Sequence, residues 1–239
     1  MINLNPMCPK CPCAYSKKNG KRNGKQCYMC LDCGFQYTLT EKDLIQKETR
    51  KAMAVSLYLV GLSMRTIAEL FAVNVSTIQR WIRTFALENY EKPTPEGPVI
   101  IELDEMWHFI GKKKHKLWIW KAYCRTTGEL IDWECGDRSS ATLKLMLERL
   151  ECLDVELYFA DGWESYAELI PPDKLVQTKA ETHGIERNNS RQRHWFGRFR
   201  RKTCIVSRSI QMVELTMGLF AKFHVNGLFC DIGSEQRIV

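Results

Sequence analysis

The chain has 239 residues, 45% of them hydrophobic and 26% charged, which excludes a disordered polypeptide and leaves room for one sizeable core plus a smaller module. No run of eighteen apolar residues occurs, because the most apolar stretch (53–64) is broken by Ser56, Gly61 and Ser63, and the first residues lack the basic-then-apolar order of a secretory leader; no membrane association and a cytoplasmic location are expected. The net charge of +7 is divided as +7 over residues 1–92, −6 over 93–182 and +6 over 183–239, and an acidic middle between two polyanion-binding ends excludes a simple basic binding module and suggests a metal-assisted site acting on nucleic acid.

Residues 1–40 are rich in Cys, Gly, Lys and Asn and show little periodic hydrophobicity. Six cysteines fall within 26 residues, and in a reducing compartment they are metal ligands or thiols. Cys8-Pro-Lys-Cys11 and Cys30-Leu-Asp-Cys33 form two C-x2-C knuckles at a spacing that places four thiolates around one zinc ion. Cys27 also forms C-x2-C with Cys30, and Cys13 lies close by, but Cys8, Cys11, Cys30 and Cys33 give two separated knuckles. A zinc ribbon whose folding is coupled to metal binding is expected here. Cys124, Cys135, Cys152, Cys204 and Cys230 stand singly and are expected to be buried small hydrophobes.

Residues 41–90 read as helices. Ser63 caps a helix reaching Phe71, Ala72-Val73-Asn74 makes a turn, and Asn74 caps a second helix, Val75 to Arg83. Ile67, Leu70, Val73, Ile78, Trp81 and Ile82 are its expected core, which leaves Ser76, Thr77, Gln79, Arg80 and Arg83 facing outward. That pattern suits a helix-turn-helix whose second helix reads the major groove of double-stranded DNA. The bland alternative is a helical hairpin with a solvated charged face; the ribbon before it and the basic charge favour DNA binding.

Residues 91–98 hold three prolines in eight positions and read as a stiff linker between domains. From residue 99 to 239 the pattern becomes mixed α/β. Three strands are expected at 99–110, 117–124 and 129–135, then a helix capped by Ser139 or Ser140 and running to about Leu153. Short strands follow at 155–160 and 175–179, and the end is helical, with Ile210, Val213, Met217 and Phe220 on one stripe.

Asp104 lies in a strand apolar enough to be central, where an unpaired charge is costly. Asp161 follows another strand directly, and Glu186 stands near the start of a basic helix. Three carboxylates from separate elements can meet at one end of a sheet, where hard oxygen ligands suit two Mg2+ or Mn2+ ions and in-line phosphoryl transfer. Alternatives exist: a strand-to-turn aspartate for Asp161, a charge complementing the helix dipole for Glu186, and Glu102 or Glu105 in place of Asp104. By strand alternation Glu102 shares the face of Asp104 and is expected to support it.

The segment 183–208 carries eight Lys/Arg and one acid. Arg191, Arg198, Arg200, Arg201 and Lys202 are expected to contact DNA phosphates, whereas Phe196 and Phe199 are expected in the core. His108, His183 and His194 are not expected to bind metal, and Lys112, Lys113, Lys114 and Lys116 form a basic hairpin tip.

Taken together and in this order, CPKC…CLDC, the helix-turn-helix, ELDEMWHFIG, YFADGWESY, HGIERNNSRQRHWFGRFRRKT and SRSIQMVE are similar to the insertion-sequence-one family of DDE transposases. The resemblance implies a ribonuclease-H-like catalytic domain with Asp104, Asp161 and Glu186 as metal ligands. It also points to Arg193, seven residues after Glu186 and so on the same helix face, as a cation that holds phosphate. The implied activity is cleavage at the 3′ ends of the element's terminal inverted repeats and joining of those ends to target DNA, by at least a dimer. The alternative is a non-catalytic DNA-binding repressor of transposition.

Overall fold

The structure is a computed structural model and describes residues 6–11, 15–38 and 41–226, the side chains of 41–47 excepted; Cys13 and Cys230 lie outside the described residues. At the N-terminus β1 (Ser16–Arg22), β2 (Lys25–Cys30) and β3 (Gln36–Thr38) make an antiparallel sheet in that order. Asn23 and Gly24, both at positive φ (51° and 76°), form the two-residue hairpin between β1 and β2. The apolar content is small: Cys8, Cys30 and Tyr37 are buried, with Cys11 and Tyr28 packed against them. The Tyr37 hydroxyl and Ser16 Oγ both donate to the Pro6 carbonyl, tying the first knuckle to the sheet.

Three helices follow: α1 (Glu41–Val60), α2 (Met64–Leu70) and α3 (Val75–Asn89). Both expected caps form. Ser63 Oγ accepts from the backbone N–H of Thr66 at 3.0 Å, and Asn74 Oδ1 from that of Ser76 at 2.9 Å, each arrangement stabilising its helix by about 1 kcal/mol. The α2–α3 turn closes with Ala72 N–H on the Glu69 carbonyl and Val73 N–H on that of Ala68, which puts Ala72 at φ +50°, a position glycine usually fills. Ile67, Ile78 and Ile82 are fully buried. Leu70, expected beside them, is exposed, because the seven-residue α2 turns only Ile67 and Ala68 inward. Helix α3 runs to Asn89, past the expected end at Arg83, and buries Ala86 in the core it shares with the last helix.

The rest is a mixed α/β unit. Its five strands are β4 (Pro98–Phe109), β5 (Lys116–Cys124), β6 (Glu129–Gly136), β7 (Asp154–Ala160) and β8 (Leu175–Gln177), in the order β6-β5-β4-β7-β8. The pairings β4–β5 and β5–β6 are antiparallel, whereas β7 runs parallel to β4 and β8 to β7. The helices are α4 (Ser140–Leu150), α5 (Glu164–Leu169), α6 (His183–Trp195) and α7 (Ile210–Phe220). Helix α4 is capped by Ser139 and ends three residues before the expected Leu153. Ile210 is exposed, while Val213, Met217 and Phe220 of the expected stripe are fully buried.

Each sheet face carries its own core. On one, Leu103, Trp120 and Ile131 pack with Leu143, Met146 and Leu150 of α4 and Tyr166 of α5. On the other, Met106, Ile119, Leu130 and Trp133 join Val213, Met217 and Phe220 of α7, and that cluster continues without a break into Tyr58, Ile78 and Ile82 of the three-helix module. The start of the proline-rich segment is tied to the sheet through Tyr90, just before it, and Lys92. The Tyr90 ring stacks on Trp133 at 5.7 Å, and the Lys92 ammonium sits 4.5 Å from the same ring while pairing with buried Asp132. Asp132 is also held by Arg149 at 2.8 Å, so its burial is compensated by two cations.

His108 and Arg198 join the sheet to α1 and to the loop after α6. His108 is buried, its Nε2 lies 2.8 Å from Ser207 Oγ, and Arg198 reaches the same hydroxyl at 3.4 Å. Burial, and secondarily Arg198, hold the His108 pKa down at about 4, so the folded state keeps it neutral. A histidine depressed in the fold gives stability that is complete above its unfolded pKa of about 6.5 and is lost as pH falls toward 4. Between pH 7 and pH 4 the wild type should lose up to about 3 kcal/mol through this group, and His108→Gln should flatten that part of the stability profile, as measured by urea unfolding. An unchanged profile would remove His108 as the cause.

Candidate active site and nucleic-acid surface

Near the N-terminus, Cys8 Sγ lies 3.7 Å from Cys33 Sγ and Cys11 Sγ 3.5 Å from Cys30 Sγ, and all four sulfurs fall within 4.8 Å of one another. A tetrahedron with arms of about 2.3 Å has edges near 3.8 Å, so these sulfurs fit a zinc ion. The backbone of Cys33 holds the Cys30 thiol pKa down at about 6, favouring the thiolate that a metal takes. Cys27 is buried in β2 and stands outside the four-sulfur cluster. Cys124 and Cys135 are buried as expected, but Cys152 and Cys204 are exposed.

The carboxylates gather where β4 passes the end of β7. Oxygens of Asp104, Glu105 and Asp161 lie within 4.8 Å of one another. Asp161 immediately follows β7, and its Oδ1 accepts from the Trp163 N–H at 3.0 Å, while Gln177 of β8 donates to the Asp161 carbonyl at 3.0 Å. Because Asp161 sits at a strand end, it is reached by consecutive residues on opposite faces of β4, and that is how Glu105 enters the cluster. Glu105 is locked in place: Arg138 pairs with it and Tyr166 Oη donates to its Oε2 at 3.0 Å. The Arg138 guanidinium lies 3.7 Å from the Trp163 ring and 4.7 Å from that of Trp118. Burial, with Glu105 beside it, raises the Asp104 pKa to about 6, the response of a carboxylate among like charges.

Glu186 is exposed on the first turn of α6 and stands outside this three-carboxylate cluster. It lines a cleft of about 440 Å³ together with Asp104, Asn189, Ser190, Arg193 and Arg201. Asp104 is thus common to the cluster and the cleft. Arg193, one helical face with Glu186, is half-buried there between Asp104 and Arg201. Glu102, expected to support Asp104, does something else: it accepts from the Ile185 N–H at 2.8 Å and pairs with Arg125 at 2.9 Å, so a side chain of β4 caps the start of α6. Gly184 permits that approach, since a Cβ there would lie 2.9 Å from a Glu102 oxygen and 2.5 Å from the Tyr123 ring.

The expected DNA-facing residues divide. Ser76, Gln79 and Arg80 are exposed on α3. Thr77 is a correction: it is buried, because α3 turns that side toward its own core. Arg83 is half-buried and donates to Gln211 Oε1 of α7 at 2.7 Å. Arg191, Arg200, Arg201 and Lys202 are exposed. Arg198 is a second correction. It is buried, with its guanidinium 4.1 Å from the Tyr58 ring of α1, and serves the interior. Phe196 and Phe199 are buried as expected, while Trp195 is exposed. Sequence reasoning passed over Lys121, Asn189, Arg138 and Tyr166. A lysine inside the apolar run LWIWKAYC was a visible signal, of the same kind that singled out Asp104. Among the described residues no helix is long and apolar enough to cross a membrane.

Comparison with known proteins agrees with this arrangement. A family model described as a homeodomain-like domain matches residues 46–93, spanning most of α1 and all of α2 and α3. The insertion element iso-IS1n protein InsB of Shigella dysenteriae is 36% identical over 127 residues, 53% of this chain and 97% of that protein. The insertion element IS1 protein InsB of Shigella flexneri is 31% identical over 120 residues, covering 50% of this chain and 92% of its own length. The insertion element IS1 2 protein InsB of Escherichia coli (strain K12) is 30% identical over 127 residues, 53% of this chain and 76% of that protein. A family model described as IS1 transposase matches residues 98–226, the whole α/β unit with its carboxylate cluster and cleft, and the chain therefore belongs to the IS1 transposase family.

Proposed function

We propose that this protein is a DDE-type transposase that binds the terminal inverted repeats of its insertion sequence, cleaves their 3′ ends and joins them to target DNA. The observation that carries this reading is the meeting of Asp104 and Asp161 at the sheet end, beside a cleft that also holds Glu186 and Arg193. The strand order, three antiparallel strands followed by two parallel ones, supports a ribonuclease-H-like catalytic domain. The oxygens of Asp104, Glu105 and Asp161 lie at a spacing that suits Mg2+ or Mn2+; the holding residues in this reading are Asp104, Asp161 and, from the adjoining cleft, Glu186, with Glu105 as a neighbour fixed by Arg138. Bound there, two such ions supply the Lewis acidity that activates an attacking oxygen and stabilises a leaving one. The four N-terminal thiols suit one structural Zn2+.

The chain's own groups then have separate tasks. Ser76, Gln79 and Arg80 of α3 face outward, where they can reach base edges in the major groove. Arg191, Arg200 and Lys202 offer an exposed basic track for phosphates. Arg193 and Arg201, lining the cleft beside Asp104, hold the scissile phosphate against the carboxylates. Because α3 and the sheet share one core, end recognition and cleavage are held in a fixed relation. Joining two ends in one complex requires at least two copies of the chain.

The test is a nicking assay with the full chain, on duplexes carrying the terminal sequences that flank its gene. A Mg2+-dependent nick that frees a 3′-hydroxyl at the element boundary is the expected result. Specific binding without any nick would instead make the protein a non-catalytic repressor.

A further inference from the structure

In the β4–β5 register Lys121 stands directly opposite Asp104, and it is completely buried. Among the described residues no carboxylate lies within salt-bridge distance of its ammonium. Three amide oxygens of α6 surround it instead: Asn188 Oδ1, Asn189 Oδ1 at 2.7 Å and Gln192 Oε1 at 3.0 Å. Three acceptors use all three N–H groups of an ammonium, one more than a neutral amine possesses. The Phe220 ring, 5.4 Å away, closes the cage. Helix packing alone is served at lower cost by an apolar side chain, so a cation buried here calls for a further role.

We infer that Lys121 is a positioning residue for the carboxylate centre, acting through Asn189 on Asp104 and through all three amides on the roll of α6. The argument is directional. Asn189 Oδ1 is committed to the ammonium, so its Nδ2 must face the other way, and it donates to Asp104 Oδ2 at 2.5 Å. One Asp104 oxygen is thereby fixed and the carboxylate plane set. Gln192 is oriented in the same manner, its Nε2 meeting Met217 Sδ. Asn188, Asn189 and Gln192 share the buried face of α6 with Ile185, and Glu186, Ser190 and Arg193 line the cleft. Fixing the first set on Lys121 therefore fixes where the second set faces.

This inference rests on the reading of Asp104 as a metal-holding carboxylate, so the experiment separates the two. Mn2+ binding is measured by electron paramagnetic resonance on the full chain, for the wild type, Asp104→Asn, Lys121→Met, Asn189→Leu and the double variant Lys121→Met/Asn189→Leu. Thermal melting and end-DNA affinity are followed in parallel. Lys121→Met and Asn189→Leu should each weaken Mn2+ binding about tenfold, with end affinity unchanged within about twofold. The double variant should lose no more than the worse single one, because both act along one chain of contacts. Wild-type Mn2+ affinity in a folded Asn189→Leu protein, or additive losses in the double variant, overturns the inference. Should Lys121→Met fail to fold, Asn189→Leu alone decides in the same way. Unchanged Mn2+ binding in Asp104→Asn would instead show that the carboxylate reading itself fails, and the inference with it.

Discussion

Asp161→Asn is expected to lower Mg2+-dependent cleavage by about a thousandfold, some 4 kcal/mol of barrier, while leaving affinity for the element's ends within about twofold. The substitution changes almost nothing in shape. Oδ1 of an asparagine still accepts from the Trp163 N–H, so the turn after β7 keeps its form. What disappears is one negative charge at the place where three carboxylates converge. Asp104→Asn should be equally inactive but differ in stability. Asp104 is crowded by burial and by Glu105, which favours the neutral form. In chelator, an amide there should raise stability by on the order of 1–2 kcal/mol, a gain seen as a higher melting temperature. Activity and stability then move in opposite directions at one residue, the signature of a site strained for use. Cleavage by Asp161→Asn at the wild-type rate, under matched metal and DNA, would reject the carboxylate assignment.

Replacing Cys30 and Cys33 together by serine should abolish zinc binding and unfold the N-terminal sheet of β1, β2 and β3 without unfolding the five-stranded sheet. The reason is the size of the local core. Among the described residues the cluster there is small: Cys8, Cys30 and Tyr37 are buried together, with Cys11 and Tyr28 packed against them. Ordering each residue costs about 1–2 kcal/mol of conformational entropy, which so few side chains cannot offset without a metal. Two measurements check this. Zinc content should fall from one per chain to none, and specific end affinity should drop by roughly tenfold or more, with cleavage of preloaded ends less affected. One zinc per chain retained by the variant would show that Cys27 or another ligand completes the site.

Much of this architecture was legible from local chemistry. Ser63, Asn74 and the pair Ser139-Ser140 announced three helix starts because a cap satisfies backbone N–H groups within three residues of itself, and of that pair Ser139 is the cap. Strands β4, β5 and β6 stood out as apolar, β-branched and aromatic runs broken by short turns. The two C-x2-C knuckles were readable because both ligands of each pair lie in one turn of chain. Arg198 was misjudged for an equally plain reason. Its basic neighbours suggested solvent, but the Tyr58 face that covers it comes from a helix far earlier in the chain.

The sequence by itself determined the capped starts of α2 and α3, the apolar runs of β4, β5 and β6, the two C-x2-C knuckles, and the costly charge of Asp104 inside an apolar strand, since each of these depends on neighbours a few residues away. Only the tertiary structure decided that Glu105 joins Asp104 and Asp161, that Glu186 lies in the adjoining cleft, that Glu102 caps α6, and that the helical module shares the core of the sheet. Those outcomes turn on which faces are brought together by packing. Lys121 and Asn189, 68 positions apart, meet only once α6 is laid on the sheet, and a periodicity read along one element carries no information about its partner.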